Sequence, residues 1–386
     1  MKVLFITRGF PSEENPMNGN YEAVQAKALA AKGHEVGVIC FYFTSVLHPF
    51  RMSGITHRTV DGVEVYECTR LRFSNKLMKL PSLDDKLRSR IFRKLFNRYL
   101  AEHGMPDVVH AHLILTAAPA AFVKTEFKLP YVITEHWSKM LKESIQLRLV
   151  KQASAYQIAD RVICVSDALA GSLKRKLGVD SIVINNMVSD VFFLSRKVER
   201  NDGKFHFVAC GALRNNGDKG FDILVDAFMK AQLPEHVFLD IVGDGPDRYS
   251  LQQKINRYGL SGRVRLLGVK IPEEVNLLLC QSDCFVLSSR IETFAIVVIE
   301  AMAKGLPVVA TRCGGPETFL RPEHGLLVDK ENAKQLADGM KYMLEHYKDY
   351  NSDNIRDYCY SHFSQDVIAD KIIDVYHQVI NQDQKN

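Results

Sequence analysis

Two glutamates stand in a run that is otherwise apolar, ETFAIVVIEAMAKGLPVVAT, from Glu292 to Thr311. Ile296, Val297, Ile299, Ala301, Met302 and Ala303 cover nearly all sides of a helix, the pattern of a helix packed inside a protein. Gly305 and Pro307 supply its stop, and PVVAT reads as a buried parallel strand. A carboxylate is costly to bury unless something pairs with it or hydrogen-bonds to it. Glu292 falls just before the helix and Glu300 just past its second turn, so one acid stands at the helix mouth and one on its wall. The amides of Thr293, Phe294, Ala295 and Ile296 are expected to point to the same mouth, where an anion or a sugar hydroxyl can be held. A carboxylate accepts two hydroxyl hydrogen bonds and suits a vicinal diol. Spacing alone leaves a ligand, or a salt bridge from Glu300 to an arginine across the core, equally open.

A second constellation is GALRNNGDKGFDILVDAF, Gly211 to Phe228. A strand, a glycine-bearing loop, then Arg214 and Lys219 ahead of a helix make a cradle for an anion, and the loop favours phosphate. Third comes DVVHAHLIL with YVITEHWSK. His110 and His112 end one strand, where they are expected to face opposite ways, and His136 closes a neighbouring strand. Histidines at the carboxyl edge of a parallel sheet sit where ligands bind. Gly19 in NPMNGNYEAVQ would let backbone approach a ligand closely. No D-x-D occurs in the chain, so a bound diphosphate would have to be neutralised by protein cations.

Strand and helix patterns alternate almost without interruption, the signature of parallel α/β sheets. KVLFIT, EVGVICFY, VVHAH, YVITEH, RVICVS and IVINN read as strands, with a long helix to about Ala159 between YVITEH and RVICVS. Charge and glycine break the periodicity from Asp190 to Lys204, which reads as a linker. FHFVACG, VFLDIVGDG, VRLLG, CFVLSS, PVVAT and GLLVD then resume the alternation, and the chain reads helical from about Glu331. Two doubly wound, Rossmann-like domains are predicted, 1–190 and 204–363, with a cleft between them as the natural site. A last helix, 364–386, is expected to pack back toward the first domain. No G-x-G-x-x-G follows the first strand of either domain, which counts against a nicotinamide or flavin enzyme.

A hydrophobic share of 46% with 25% charged residues is that of a globular protein. No apolar run approaches the roughly 20 residues of a membrane span, and MKVLFITRGFP is too short in apolar residues for a signal peptide. Eight scattered cysteines fit reduced thiols of the cytoplasm. The net charge of +5 conceals an asymmetry: residues 1–190 hold 26 Lys+Arg against 18 Asp+Glu, the remainder 24 against 27. Ten of those basic residues lie between Arg70 and Leu100. There Ser82 and Asp85 resemble a capping box, and Leu87, Ile91, Leu95 and Tyr99 form an apolar stripe flanked by Lys86, Arg90, Arg93, Lys94 and Arg98. A solvated basic face and one that meets an anionic membrane are both open readings.

Taken together, these segments resemble family 4 of the retaining glycosyltransferases, enzymes of the GT-B fold, over nearly the whole chain. SSRIETFAIVVIEAMAKGLPVVATRCGGPET resembles the family's E-x7-E region, GALRNNGDKGFD its Arg/Lys phosphate motif, IVGDGPDRYSLQ its G-x-G-P turn at Gly243, and NPMNG to GHEV its acceptor-side glycine loop. The resemblance implies that Glu300 binds the nucleotide ribose and that Glu292 binds the transferred sugar, with amides at Phe294 and Ala295. It implies that Lys219 and Arg214 hold the diphosphate, that His112 sits by the reacting sugar with His136 on the sugar or acceptor side, and that Gly19 approaches the donor. Ala295 departs from the pattern, since the family has glycine there.

The expectation is thus a cytoplasmic, metal-independent enzyme without cofactor. It would move a sugar from a UDP or GDP sugar to a glycan or lipid-linked acceptor in cell-surface polysaccharide synthesis, and would not bind nucleic acid. A nucleotide-sugar epimerase on the same scaffold, or a non-catalytic sugar-nucleotide or membrane-binding subunit, are the competing readings. Acceptor-dependent turnover separates them.

Overall fold

The computed structural model describes residues 1–13, 15–45, 54–72, 81–143, 152–198, 200–214 and 217–383. The chain forms two compact units, Met1–Asn185 with Ile368–Asn386, and Asn186–Val367. The crossing at Asn185 precedes the 190–204 segment whose periodicity is broken. The chain re-enters the first unit within the helix Gln365–Asp383.

In the first unit the strands are β1 (Lys2–Thr7), β2 (Glu35–Ser45), β3 (Gly54–Val60), β4 (Val63–Arg72), β5 (Val108–His112), β6 (Tyr131–Glu135), β7 (Arg161–Cys164) and β8 (Ile182–Val183). They lie in the order β3-β4-β2-β1-β5-β6-β7-β8. Val3, Leu4, Phe5 and Ile6 are all buried, because helices cover both faces of a parallel sheet and leave no face for polar alternation. One pairing departs from the parallel pattern: β3 and β4 form an antiparallel hairpin. Its turn is Asp61-Gly62, both at positive φ (51° and 77°), the conformation a two-residue hairpin needs. That D-G signal is legible in DGVEVYECTR. The long helix expected before Ala159 is described only as a 3-10 turn at Ser138–Met140 and a short helix, Ser154–Ile158; residues 144–151 lie outside the described residues.

The basic segment contains the helix Pro81–His103. Ile91, Leu95 and Tyr99 of its stripe are buried, joined by Phe92 and Phe96, while Leu87 stays 42% exposed. The stripe therefore turns out of the core in its first described turn. The Ser82 and Asp85 side chains lie outside the described residues. Arg93 is engaged by Glu126, and Arg98 by Glu102, which leaves Lys86, Arg90 and Lys94 exposed at successive i,i+4 positions. Among the described residues no helix is long and apolar enough to cross a membrane. All eight cysteines are buried and none is in a disulfide.

The second unit is a wholly parallel sheet of β9 (Phe205–Cys210), β10 (Val237–Val242), β11 (Val264–Leu266), β12 (Cys284–Leu287), β13 (Val308–Arg312) and β14 (Gly325–Asp329), in the order β11-β10-β9-β12-β13-β14. Chain order reverses between β9 and β12 here, and between β1 and β5 in the first unit. At such switch points the loops leaving the carboxyl ends diverge and open a crevice. Those loops carry Gly19, Arg214, Lys219 and Glu292, and His112 ends β5 beside them.

Gly37 of β2 lies under Tyr99, and a Cβ at this position would overlap the tyrosine ring. Gly37→Ala should therefore destabilise the first unit by about 1–3 kcal/mol, the usual cost of overpacking a close-packed core. A lowered thermal midpoint checks this.

Candidate active site

In the second unit the site begins with backbone that can approach backbone. Gly243 (φ 136°) and Gly245 (φ 150°) open the turn after β10. A Cβ at Gly243 would overlap the Gly211 carbonyl, and one at Gly245 the Leu213 carbonyl. Leu213 N–H donates to the Asp244 carbonyl at 3.0 Å, which pins the loop that carries Arg214. Gly220, in the left-handed region, caps the helix Phe221–Ala231 and lies against the Ser288 carbonyl. This draws Lys219 onto the loop that follows β12.

There Lys219 Nζ donates to Glu292 Oε1 at 2.6 Å, and Ser289 Oγ donates to the same oxygen at 2.8 Å. Glu292 is 8% exposed, so its charge is answered inside the protein. The two residues that sequence placed in separate motifs form one ion pair. Lys219 and Arg214 also line a common pocket of about 490 Å³ with Gly217, Gly220, Asp247 and Lys254; Glu292 and Glu300 are not among its walls. Two other cations line it but are committed: Arg290 to Asp222 and Glu331, and Lys254 to Asp226. Arg214 is exposed, and among the described residues its side chain has no hydrogen-bond or ion-pair partner. Ser289 and Arg290 were missed from sequence, although both sit in SSRIE beside Glu292.

The helix Ile296–Met302 has only two turns. Ala295 precedes it at φ 72°, ψ 63°, a left-handed conformation that costs an alanine about 1–2 kcal/mol. Gly315 permits this loop, since a Cβ there would come within 2.5 Å of the Phe294 carbonyl carbon. Phe294 is buried against Phe319 and Phe363, and the amides of Phe294, Ala295 and Ile296 have no acceptor among the described residues.

Glu300 has no salt bridge to arginine among the described residues. The residue as a whole is half-buried, and burial of its carboxyl pushes the pKa up from 4.5 to about 7. Of the two acids, Glu292 is answered by protein and, among the described residues, Glu300 is not.

In the first unit Gly19 (φ 69°) caps the helix Asn20–Ala31, and its Cα lies against the Gly9 carbonyl, where no Cβ would fit. The expectation that His110 and His112 face opposite ways is wrong. Strand side chains alternate with period two, so residues two apart share a face, and the rings stack at 4.5 Å between centroids. His110 is bonded at both nitrogens, Nδ1 with Tyr376 Oη at 2.6 Å and Nε2 with Thr134 Oγ1 at 2.7 Å. His112 is 2% exposed and its Nε2 has no partner among the described residues. Burial, then the nearby His136, pushes the pKa of His110 down to about 3. Burial, then His110 and His136, holds that of His112 well below the ordinary imidazole range. Both are therefore neutral at pH 7. His136 stands across from His112, ring centroids 5.7 Å apart, with Nε2 at 3.7 Å from the buried carboxylate of Glu22.

Among the described residues, the group whose ligating atoms come within 4.8 Å of one another is His57, Glu102 and His103 of the first unit. Tyr66 Oη already bonds Glu102 at 2.6 Å and His103 at 2.8 Å. No comparable group surrounds Lys219 or His112 among the described residues.

Because the folded pKa of Glu300 lies above its unfolded value, the native state holds the proton more tightly. Its stabilising contribution is complete below pH 4.5 and is lost as pH rises through about 7. Glu300→Gln should remove that decline. Thermal midpoints of both forms across pH 4.5 to 7.5 check it, and curves that stay parallel count against the assignment.

Two family models match consecutive parts of the chain: Glycosyltransferase Family 4 over residues 23–191, and Glycosyl transferases group 1 over residues 190–378. The putative teichuronic acid biosynthesis glycosyltransferase TuaC of Bacillus subtilis is 29% identical over 364 residues, 88% of each chain. The N-acetyl-alpha-D-glucosaminyl L-malate synthase of Bacillus anthracis is 25% identical over 372 residues, 92% of each. An uncharacterized glycosyltransferase of Methanocaldococcus jannaschii is 30% identical over 237 residues, 60% of this chain and 64% of that one. Among solved structures, the sucrose-phosphate synthase from Thermosynechococcus elongatus superposes with a TM-score of 0.79 at 21% identity over 99% of both chains. Anabaena HepE, in complex with UDP and glucose, gives 0.73 at 21% identity over 97% of this chain and 99% of that one. The fold is that of the GT-B enzymes, and the chain belongs to the family 4 glycosyltransferases.

Proposed function

We propose that this enzyme is a retaining, metal-independent glycosyltransferase. It moves a sugar from a UDP or GDP sugar to a glycan or lipid-linked acceptor, in the synthesis of a cell-surface polysaccharide. The observation that carries this reading is Lys219. One ammonium lines a pocket with Arg214 and also grips the buried carboxylate of Glu292, so diphosphate and sugar would be handled at a single charge. As the glycosidic bond breaks, negative charge grows on the departing diphosphate, and fixed donors that need no reorganisation stabilise it best. Lys219, held by Glu292, supplies such a donor, the guanidinium of Arg214 adds a second cation at the same pocket, and a planar guanidinium beside an ammonium suits adjacent phosphates.

Glu292 then serves the sugar rather than attacking it. Its Oε1 is held by Lys219 and Ser289, which favours a hydroxyl acceptor over a covalent nucleophile and fits displacement on one face with retention. Glu300, without a partner among the described residues, accepts from the ribose diol. The amides of Thr293, Phe294, Ala295 and Ile296 add donors, and Gly243 lets the nucleotide approach. His112, neutral and with Nε2 free, acts at the reacting sugar; Gly19 and His136 line the donor and acceptor side. In this reading residues 204–363 take the donor and residues 1–190 the acceptor. The complex of Anabaena HepE with UDP and glucose and the teichuronic acid role in the name of TuaC lend support to donor class and pathway type.

Lys86, Arg90 and Lys94 form an exposed basic row that fits an anionic bilayer at its cytoplasmic face, at about 1 kcal/mol per basic side chain near the surface. Sedimentation should show binding to phosphatidylserine vesicles and loss of it to neutral ones; equal binding to both rejects the electrostatic part.

Transfer should survive excess EDTA. Lys219→Ala should lose on the order of 100-fold or more in kcat, and Arg214→Ala less, because its exposed side chain has no partner among the described residues to hold it in place. Glu292→Ala should depress kcat and Glu300→Ala mainly raise donor KM. Loss of activity in EDTA restored by Mg²⁺ or Mn²⁺, or unchanged kinetics in the acid variants, would overturn the assignment.

A further inference from the structure

Glu135 ends β6 and is completely buried. No cation pairs with it among the described residues. An uncompensated buried carboxylate is expensive, so its retention has to be explained by what it holds. Four donors converge on it. Oε1 accepts from the His136 and Trp137 amides, at 3.0 and 2.8 Å, and Oε2 accepts from the Ile114 amide and the Tyr156 hydroxyl, at 3.0 and 2.7 Å. Three of the four are backbone groups, and they belong to two turns. One follows His112, and the other contains His136.

The turn after His112 is strained. Leu113 adopts φ 68°, ψ 141° with its side chain buried. This lies close to a region occupied almost only by glycine, and a non-glycine held so costs of order 1–3 kcal/mol unless its surroundings over-determine it. Here they do: the Leu113 amide donates to the Thr134 carbonyl at 2.9 Å, and the next amide, Ile114, donates to Glu135. Ile114 opens a helix, where an amide ordinarily lacks an intrahelical partner. The sharp reversal leaves His112 as the last residue of β5 with Nε2 unpartnered.

We propose that Glu135 is a positioning residue: a buried carboxylate clamp that holds the strained Leu113 turn and the His136 turn together, and so sets the geometry of His112 against the reacting sugar. It acts through His112 and touches no substrate, so the inference rests on the role proposed above for that histidine. Glutamine is the diagnostic substitution. It keeps the size of the side chain but turns one acceptor oxygen into a donor. Whichever way the amide sits, an NH₂ group then meets backbone N–H, either at Ile114 or at His136 and Trp137.

Two measurements test the clamp. The first needs no turnover: amide exchange followed by NMR should find Ile114 strongly protected in the wild type, unlike the unpartnered first-turn amides of an ordinary helix. In Glu135→Gln the Ile114, His136 and Trp137 amides should lose protection or shift while the core amides of β1 and β5 do not. Rapid exchange of Ile114 in the wild type overturns the clamp even if the variant fails to fold. The second uses UDP-glucose and GDP-mannose as donor probes. Glu135→Gln should lower kcat roughly 100-fold, the scale of a small misplacement of a catalytic group, with donor KM little changed. Adding it to His112→Ala should cause no further loss, because the two act as a unit. Multiplicative losses in the double variant, or an equal rise in KM with a collapsed thermal midpoint, would reduce Glu135 to a structural role. Wild-type kinetics in His112→Ala would instead overturn the role of that histidine, while the exchange result still decides the clamp.

Discussion

A carboxylate removed from water must be answered by donors, and the chemistry of this protein is organised around three different answers. Glu292 is met by an ammonium and a hydroxyl. Glu135 is met by three amides and a tyrosine. Glu300 is met by nothing among the described residues, and its raised pKa records the deficit. In the function proposed above, charge, backbone donors and the lack of a partner suit three tasks: coupling to a phosphate-binding lysine, holding geometry, and accepting a ligand. One acid type can serve all three because burial makes each partner, or its lack, energetically significant.

Those partners meet only where backbone can come close to backbone. Gly220 against Ser288, Gly243 against Gly211 and Gly315 against Phe294 bring loops together at distances that a Cβ would forbid. All of these loops leave the carboxyl ends of parallel strands near the β9–β12 reversal, where helices on opposite faces diverge. The sheet thus supplies a crevice, and glycine lets the polar groups of that crevice converge.

Both units carry a non-glycine residue in a left-handed or nearly glycine-only conformation beside the proposed chemistry: Ala295 before the acid-bearing helix and Leu113 after His112. Such strain is stable only when surrounding contacts over-determine it. Gly315 and the packing of Phe294 do so for one, and the Thr134 carbonyl and Glu135 for the other. Elsewhere in the described chain, hydrophobic burial of strands such as β1 and β12 supplies the stability against which such local costs are set.

Much of the fold was legible because helix and strand periodicities are local. The alternation of KVLFIT, FHFVACG and their successors determined two doubly wound sheets, and the two acids in ETFAIVVIEAM marked a polar site inside an apolar element. The hairpin at Asp61-Gly62 is also written in the sequence, as is the shared face of His110 and His112, which a period of two already dictates. What the chain's order does not contain is pairing across distance. Lys219 and Glu292 are 73 residues apart, and each alone looks like an ordinary surface lysine or a misplaced acid. Glu135 in YVITEH reads as a strand-end residue until the Ile114 amide and the Tyr156 hydroxyl are brought to it, each 21 residues away along the chain. A buried charge is defined by its surroundings, and only the folded sheet, by choosing which loops share a switch point, decides what those surroundings are.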